Sequence, residues 1–319
     1  MSTAAPAPAK SAAPVVAATP AFTPAGAKAT IHDHNPAAPG LTPAQVREYN
    51  ENGFLIFNDV LTPAEVETLR AAAASPEVHA HVYGKNDYAD TATIHALEIT
   101  MAHPAFLDLA RHPAIVAKLI ALIGPDIQLQ HSKLAVKPST PGTGGFQWHQ
   151  DFGYFPHSNT SLAAVMVMLD DATPDNGCMS MVIGSHKLGL LNHTNAKGLF
   201  SGGCREDKYT SDSSKVAEIT PRAGGISIHH ALTLHGSPVN RSGKPRRGVV
   251  YQYRADDAYQ LCDGIWKDTG IMVAGTRKEL VRCDAGTVRL AKSRRYDGSP
   301  FGGAWNQDGE YVKKSHKYL

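Results

Sequence analysis

The stretch Trp148-His149-Gln150-Asp151-Phe152-Gly153-Tyr154-Phe155-Pro156 constrains this chain more than any other. His149 and Asp151 stand two residues apart, and on an extended strand such side chains point to the same face. One imidazole nitrogen and one carboxylate oxygen then reach a common point. Imidazole suits iron, copper and zinc, and a carboxylate adds hard, anionic character. Two histidines and one carboxylate on one side of a metal, with the other positions open, is the ligand pattern of non-haem Fe(II) oxygenases. A lone His-x-Asp also arises by chance, as two polar residues on a surface loop, so the rest of the chain has to supply the third ligand and the frame.

It does so downstream. After Gly224-Gly225 the run Ile226-Ser227-Ile228-His229-His230-Ala231-Leu232-Thr233-Leu234-His235 reads as a buried strand ending at His235, where Gly236 frees the backbone to turn. Eleven residues beyond His235, Arg246 opens a second strand-like run, Arg247-Gly248-Val249-Val250-Tyr251-Gln252-Tyr253. Arginine is a charged fork that matches a carboxylate bidentately. A metal face and an anion clamp one strand away together fit a dicarboxylate that chelates the metal at one end. Strand parity groups Arg246 with Gly248, Val250 and Gln252, so Arg246 is expected to point inward and Arg247 outward.

Several motifs occur in a fixed order: Gly124-Pro125-Asp126-Ile127 leading to Lys137-Pro138, His149-Gln150-Asp151, Asn176-Gly177-Cys178-Met179, Gly184-Ser185-His186-Lys187, and His235-Gly236-Ser237 with Arg246. In that order they resemble the phytanoyl-CoA dioxygenase family of Fe(II)/2-oxoglutarate oxygenases, which includes the ectoine hydroxylases, over about residues 41–255. The resemblance implies a metal triad of His149, Asp151 and His235, with 2-oxoglutarate held by Arg246 and Ser237. Positions matching Lys133 and Lys137 line the cosubstrate pocket in some relatives; both also read as solvent-facing strand lysines. His131, Trp148, Phe152 and Tyr154 are the candidates for contact with the substrate. The implied reaction uses O2, with ascorbate as a supporting reductant, to oxidise an unactivated C–H bond of a small metabolite, releasing succinate and CO2. Hydroxylation leads; desaturation, epoxidation or ring formation, and a catalytically silent ligand-binding jelly roll, are the alternatives. Halogenation is disfavoured because Asp151 fills the position that chloride needs. His186 is expected to be structural, and His230 to orient the site from behind the ligands.

The remainder frames this site. At 319 residues with 42% hydrophobic content and a formal charge of +2, the composition fits a soluble globular protein and gives no case for nucleic acid or a membrane surface. No run approaches the ~18 apolar residues of a membrane span. Four cysteines lie too far apart in sequence for a CxxC motif and read as reduced thiols, so a cytoplasmic location is expected. Oligomeric state is left open. Residues 1–40 are Ala/Pro-rich and read as a disordered tail; residues 41–319 read as a single oxygenase domain, with a core over 41–255 and a C-terminal extension over 256–319.

Along the domain, Thr42-Pro43-Ala44-Gln45 and Thr62-Pro63-Ala64-Glu65 are two capping boxes with Pro at the first helical position. Residues 54–57 read as a buried strand and 113–123 as a helix with Ile115, Val116, Leu119, Ile120 and Ile123 on one face. Residues 162–169 form a wholly apolar run of eight, a core strand. Residues 76–100, with His79, His81, Tyr83, Lys85, Tyr88 and His95, are the expected substrate mouth, and the polar stretch 188–218 the expected lid. Trp266, Trp305 and Lys292-Ser293-Arg294-Arg295 cover the barrel mouth, bind a partner or form a solvated face. Many short strands with Gly/Pro turns, and helices gathered at the N-terminal side, predict a mainly β protein with α elements: a double-stranded β-helix (jelly roll, cupin-like) with an N-terminal helical buttress.

Overall fold

The computed structural model describes residues 25–82, 93–196, 198–200, 202–204, 207–262 and 266–284. Its strands are β1 (Ile31–Asp33), β2 (Phe54–Asn58), β3 (Ile94–Leu97), β4 (Ile127–Lys137), β5 (Phe146–His149), β6 (Leu162–Met168), β7 (Met179–Val182), β8 (Val216–Ile219), β9 (Ile226–His230), β10 (His235–Ser237), β11 (Arg246–Ala255) and β12 (Met272–Ala274). The helices are α1 (Pro43–Asn52), α2 (Pro63–Ala73), α3 (Pro76–Ala80), α4 (Ile99–Ala102), α5 (Pro104–Ala110) and α6 (Pro113–Ile123).

Both capping boxes form as the sequence dictates. The Thr42 and Thr62 hydroxyls accept from the backbone N–H of Gln45 and Glu65, whose side chains accept the cap N–H groups in return. Gly53 ends α1 in the left-handed region at φ 87°. A Cβ there would also meet His186 Nδ1 at 2.5 Å and Thr233 Oγ1 at 2.6 Å, so glycine is required twice over.

One large sheet runs β1-β2-β9-β6-β11-β4-β12, with β3 also paired to β4; a smaller sheet runs β5-β10-β7-β8. This is the expected jelly roll. The apolar run 162–169 becomes β6, buried throughout between β9 and β11. The outer face of the large sheet carries Leu55, Phe57, Val165, Val167, Ile226, Ile228, Val249, Tyr251 and Tyr253 against the helices. Each such fully buried aliphatic side chain contributes about 1.5–3 kcal/mol. Tyr251 and Tyr253 bolt α5 to the sheet by donating to the Phe106 and Ala110 carbonyls. Between the sheets, Phe54, Ile56, Met166, Met168, Met179, Met181 and Ile219 fill one end of the barrel, leaving the other end to polar residues.

Three details differ from expectation. The folded chain starts before Leu41: β1 pairs in parallel with β2, and Gly26 and Ala27 bond to the Ser213 and Val216 carbonyls. The short β1 lies between Pro- and Ala-rich flanks that mask its signal; residues 1–24 of the expected tail lie outside the described residues. In α6, Ile115, Leu119 and Ile123 are buried but Ile120 is 43% exposed, because the helix touches the core along a narrower stripe than its apolar face. The expected lid stretch, 188–218, includes the start of β8, which pairs with β7.

Candidate active site

β5 and β10 place His149 and His235 directly opposite each other, with ring centroids 4.1 Å apart. The hydrogen-bonded strand ends at His149, and Asp151 opens a short 3-10 turn, Asp151–Gly153. Gln150 between them stays extended at φ −116°, ψ 131°, so the two side chains still share a side. Asp151 Oδ1 lies 3.6 Å from His149 Nε2 and 3.9 Å from His235 Nε2. One ligand atom from each of the three residues falls within 4.8 Å of the others, and all three residues are buried.

The tautomers are set by the backbone. His149 Nδ1–H donates to the Gln147 carbonyl at 2.7 Å and His235 Nδ1–H to the Thr233 carbonyl at 2.9 Å, so both Nε2 lone pairs face Asp151. Burial, then the neighbouring His149, drives the His235 pKa well below its ordinary value and keeps the ring neutral. Burial alone would raise the Asp151 pKa, but the surrounding histidines, His235 first and then His149 and His229, outweigh it and hold the carboxyl well below the usual range. A neutral His235 imidazole and an ionised carboxylate, with the His149 Nε2 turned to the same point, are what a divalent cation needs.

The other Asp151 oxygen is held from behind. Oδ2 accepts from Gln252 Nε2 at 2.7 Å and from His229 Nε2 at 3.1 Å. The orienting histidine is therefore His229, not His230. His230 Nδ1 instead accepts from the Leu232 N–H, and its ring packs beside His186 and Tyr49. Ile226 and Ile228 face the helices, so alternation turns Ser227 and His229 inward; that alternation was the available signal. Gln150 is locked as well: its amide donates to the Gly189 and Leu232 carbonyls and accepts from the Leu191 N–H, and its own N–H donates to His193 Nε2. His186 bonds the Asn50 carbonyl near the end of α1, a structural place.

On β11, Arg246 is 4% exposed and points inward, and neither Nε nor Nη1 has a hydrogen-bond partner. Burial pushes its pKa down to about 10, so it remains charged at neutral pH. Arg247 points outward and forks Asp170 at 2.8 and 2.9 Å. Ser237, two residues beyond His235, is buried on β10. Lys137 stands opposite Arg246 and is not a solvent-facing lysine: its ammonium donates to the Gly144 and Pro238 carbonyls, both at 2.6 Å. Burial, then Arg246, holds its pKa well below normal. Lys133 is partly buried on the same inner face, opposite Val250, its pKa lowered by burial against the opposing pull of Asp151.

Of the four substrate candidates, two lie on the side of the donor set and two pack into apolar clusters. Tyr154 lies edge-on to His149 at 5.5 Å, and His131 lies opposite Gln252 on the inner face. Trp148 alternates to the other face of β5 and packs with Val182, Leu191, Val216 and Leu234. The 3-10 turn drives Phe152 into a cluster with Phe155, Leu162, Ala231 and Leu232. From the expected mouth, His95 and Phe146 pack together, and Phe146 meets His149 edge-on at 4.8 Å; Tyr83, Lys85 and Tyr88 lie outside the described residues. From the expected lid, Phe200 packs on Tyr154 at 4.7 Å, and the Cys204 N–H donates to the Trp148 carbonyl. Trp266 was left undecided by the sequence; it stacks on His131 at 4.0 Å. Trp305 and the 292–295 basic cluster lie outside the described residues. No described helix is long and apolar enough to cross a membrane.

Known proteins resemble this chain in sequence and fold. The family model described as phytanoyl-CoA dioxygenase (PhyH) matches residues 49–248, which include His149, Asp151, His235 and Arg246. The chain is 28% identical over 246 residues to a probable alpha-ketoglutarate-dependent hypophosphite dioxygenase of Stutzerimonas stutzeri, covering 72% of this chain and 85% of that protein. It is 26% identical over 241 residues to an ectoine dioxygenase of Streptomyces anulatus, covering 69% of this chain and 80% of that protein. Among solved structures, the epimerase SnoN in complex with Fe3+, alpha ketoglutarate and nogalamycin RO has the same fold, with a TM-score of 0.62 at 23% identity over 76% of this chain and 98% of that one. The jelly roll, its donor set and these relatives define an iron- and 2-oxoglutarate-dependent dioxygenase. With the family model spanning well over half its length, the chain belongs to the phytanoyl-CoA dioxygenase family.

Proposed function

We propose that this dioxygenase hydroxylates an unactivated C–H bond of a small metabolite. In this reading His149, Asp151 and His235 hold the iron, and Arg246 with Ser237 holds the distal carboxylate of 2-oxoglutarate. The carrying observation is the buried Arg246 guanidinium, with Nε and Nη1 unpartnered, in the same barrel as a His/Asp/His donor set. A buried cation without a partner is costly, and a dicarboxylate bridging to the metal would relieve it. Bound there, iron with 2-oxoglutarate and O2 supplies oxidative decarboxylation coupled to C–H oxidation, releasing succinate and CO2.

The chain's own residues prepare that chemistry. Gln252 and His229 fix Asp151 so that one oxygen is presented to the metal position. The Gln147 and Thr233 carbonyls fix the two imidazoles. Phe146 and Tyr154 flank His149, and Phe200 backs Tyr154, an aromatic wall that excludes water. Lys137 ties the loop before β5 to the residue after β10, holding the two ligand strands in register.

The test is succinate release with Fe(II), ascorbate and a metabolite panel that includes hypophosphite, ectoine and phytanoyl-CoA, compounds that the relatives' names carry. Product mass then separates hydroxylation (one added oxygen) from desaturation or ring closure (loss of two hydrogens). Failure of every compound to raise succinate above the substrate-free rate would count against a small-metabolite oxygenase.

A further inference from the structure

The segment after the family-matched region returns to the barrel mouth. Gln260 pairs in a bridge with His157, the Leu261 N–H donates to the Pro156 carbonyl, Thr269 Oγ1 donates to the Gln130 carbonyl, and Gly270 and Ile271 bond the backbone of Leu129. These ties set two side chains against His131. Trp266 lies flat on its ring at 4.0 Å and 8°, and Phe155 meets it edge-on at 5.1 Å.

A chain of amides fixes the proton on that ring. Gln260 Nε2 donates to the Cys262 carbonyl at 2.6 Å, so Gln260 Oε1 is the end that accepts from Gln130 Nε2, at 3.2 Å. Gln130 Oε1 then faces His131 Nδ1, which must carry the proton to donate. His131 Nε2 is left as a lone-pair acceptor. The residue is 1% exposed, and that nitrogen has no hydrogen-bond partner among the described residues. It belongs to the inner face, directly across β4 and β11 from Gln252, which holds Asp151. An unmet buried acceptor calls for a donor. 2-Oxoglutarate, a dianion with acceptor oxygens only, has none to give.

We propose that Gln260 and Trp266 are positioning residues that hold His131 as a neutral hydrogen-bond acceptor in the substrate pocket, and that the prime substrate presents a hydroxyl, amine or amide N–H to it. The proposal rests on the oxygenase reading above, and it gives the segment beyond residue 248 a part in substrate choice.

Two measurements test it, the first without any substrate. The full chain, loaded with diamagnetic Zn(II) and labelled with 15N-histidine, is studied by NMR, with the His131 signals assigned by their loss in His131→Asn. The wild type should show His131 as a single tautomer, protonated at Nδ1 and bare at Nε2. Gln260→Leu should mix the tautomers. A pure Nε2–H tautomer in the wild type, or an unchanged one in Gln260→Leu, overturns the amide chain. The second uses whichever panel compound raises succinate. Gln260→Leu and Trp266→Ala should raise its KM about tenfold, the scale of one lost buried hydrogen bond, while the 2-oxoglutarate KM moves less than about twofold. Trp266→Phe should restore most of the loss. Both KM values rising together would show a merely structural strap and overturn the proposal. Should no compound raise succinate, the oxygenase reading fails and the NMR result still decides the tautomer.

Discussion

Arg246 and Lys137 face each other across β11 and β4, two buried cations with no carboxylate bonded to either among the described residues. Lys137 is neutralised in effect by two carbonyls; Arg246 is not. The barrel is thus built with an electrostatic imbalance at one place, which a bound anion would relieve.

Removing Arg246 should therefore have two opposite effects. Arg246→Ala should raise the 2-oxoglutarate KM by about ten- to a hundredfold, the range of a charged buried contact, with less effect on the prime substrate. Arg246→Met should raise the unfolding temperature of the cosubstrate-free protein, because an unpaired buried charge is replaced by apolar volume. Arg247→Ala should do the reverse: an ordinary KM, and a lower unfolding temperature because Asp170 loses its fork. Calorimetry with and without 2-oxoglutarate, beside steady-state kinetics, checks the set, and equal KM effects at the two positions would refute the assigned parity.

Asp151→Ala, His149→Ala and His235→Ala should each abolish activity and weaken Fe(II) binding, while circular dichroism stays that of the wild type. The apolar core between large sheet and helices does not depend on them. Gln252→Leu and His229→Leu should keep the donor set yet lower metal affinity about 10- to 100-fold, since both fix the Asp151 carboxylate. Metal titration followed by fluorescence measures this, and wild-type affinity in both variants would remove them from the site.

Trimming residues 198–211 should lower coupling. Phe200 packs on Tyr154, which packs on His149, so the segment shields the reacting end of the barrel. Measured side by side, succinate should still form while less substrate is oxidised. An unchanged ratio at full turnover would make this stretch a surface loop and shift the search for a gate to residues 76–100.

Stability should fall as pH drops below about 6.5, the ordinary histidine value. His131 and His235 are held well below that value, His230 at about 4, and His95 and His157 at about 3, each chiefly by burial. Below pH 6.5 the unfolded chain binds protons at these rings and the native state does not, so the native state loses ground as pH falls. Each such histidine adds about 1.4 kcal/mol per pH unit until its folded pKa is reached. Urea midpoints of the metal-free protein between pH 7 and pH 5 test this. His157→Asn should flatten the slope by about one histidine, and a midpoint independent of pH would contradict the buried-neutral assignment.

The convergence of the candidate donors was legible in the sequence to the extent that donor chemistry imposes spacing. His149, Asp151 and His235 stand in a fixed order, and parity along β11 separated Arg246 from Arg247. Adjacency misled where backbone geometry changes within one residue. Trp148 and Phe152 flank the candidate donors in sequence, yet alternation sends one to the far side of β5 and a 3-10 turn sends the other into a core. His229 and His230 were inverted because both faces of β9 are buried, so hydrophobicity does not tell inside from outside. Trp266 was beyond reach, since its place depends on pairings with residues 129–130, far away in sequence.

The parallel pairing of β1 on β2 also has a colloidal consequence. Without β1, the unpaired N–H and C=O groups of β2 become the rim of a seven-stranded sheet, and residues 54–57, Phe-Leu-Ile-Phe, carry no charge. Exposed rims of that kind recruit strands from other molecules. A chain shortened to begin at Leu41 should keep its active site but self-associate as concentration rises, which light scattering would register.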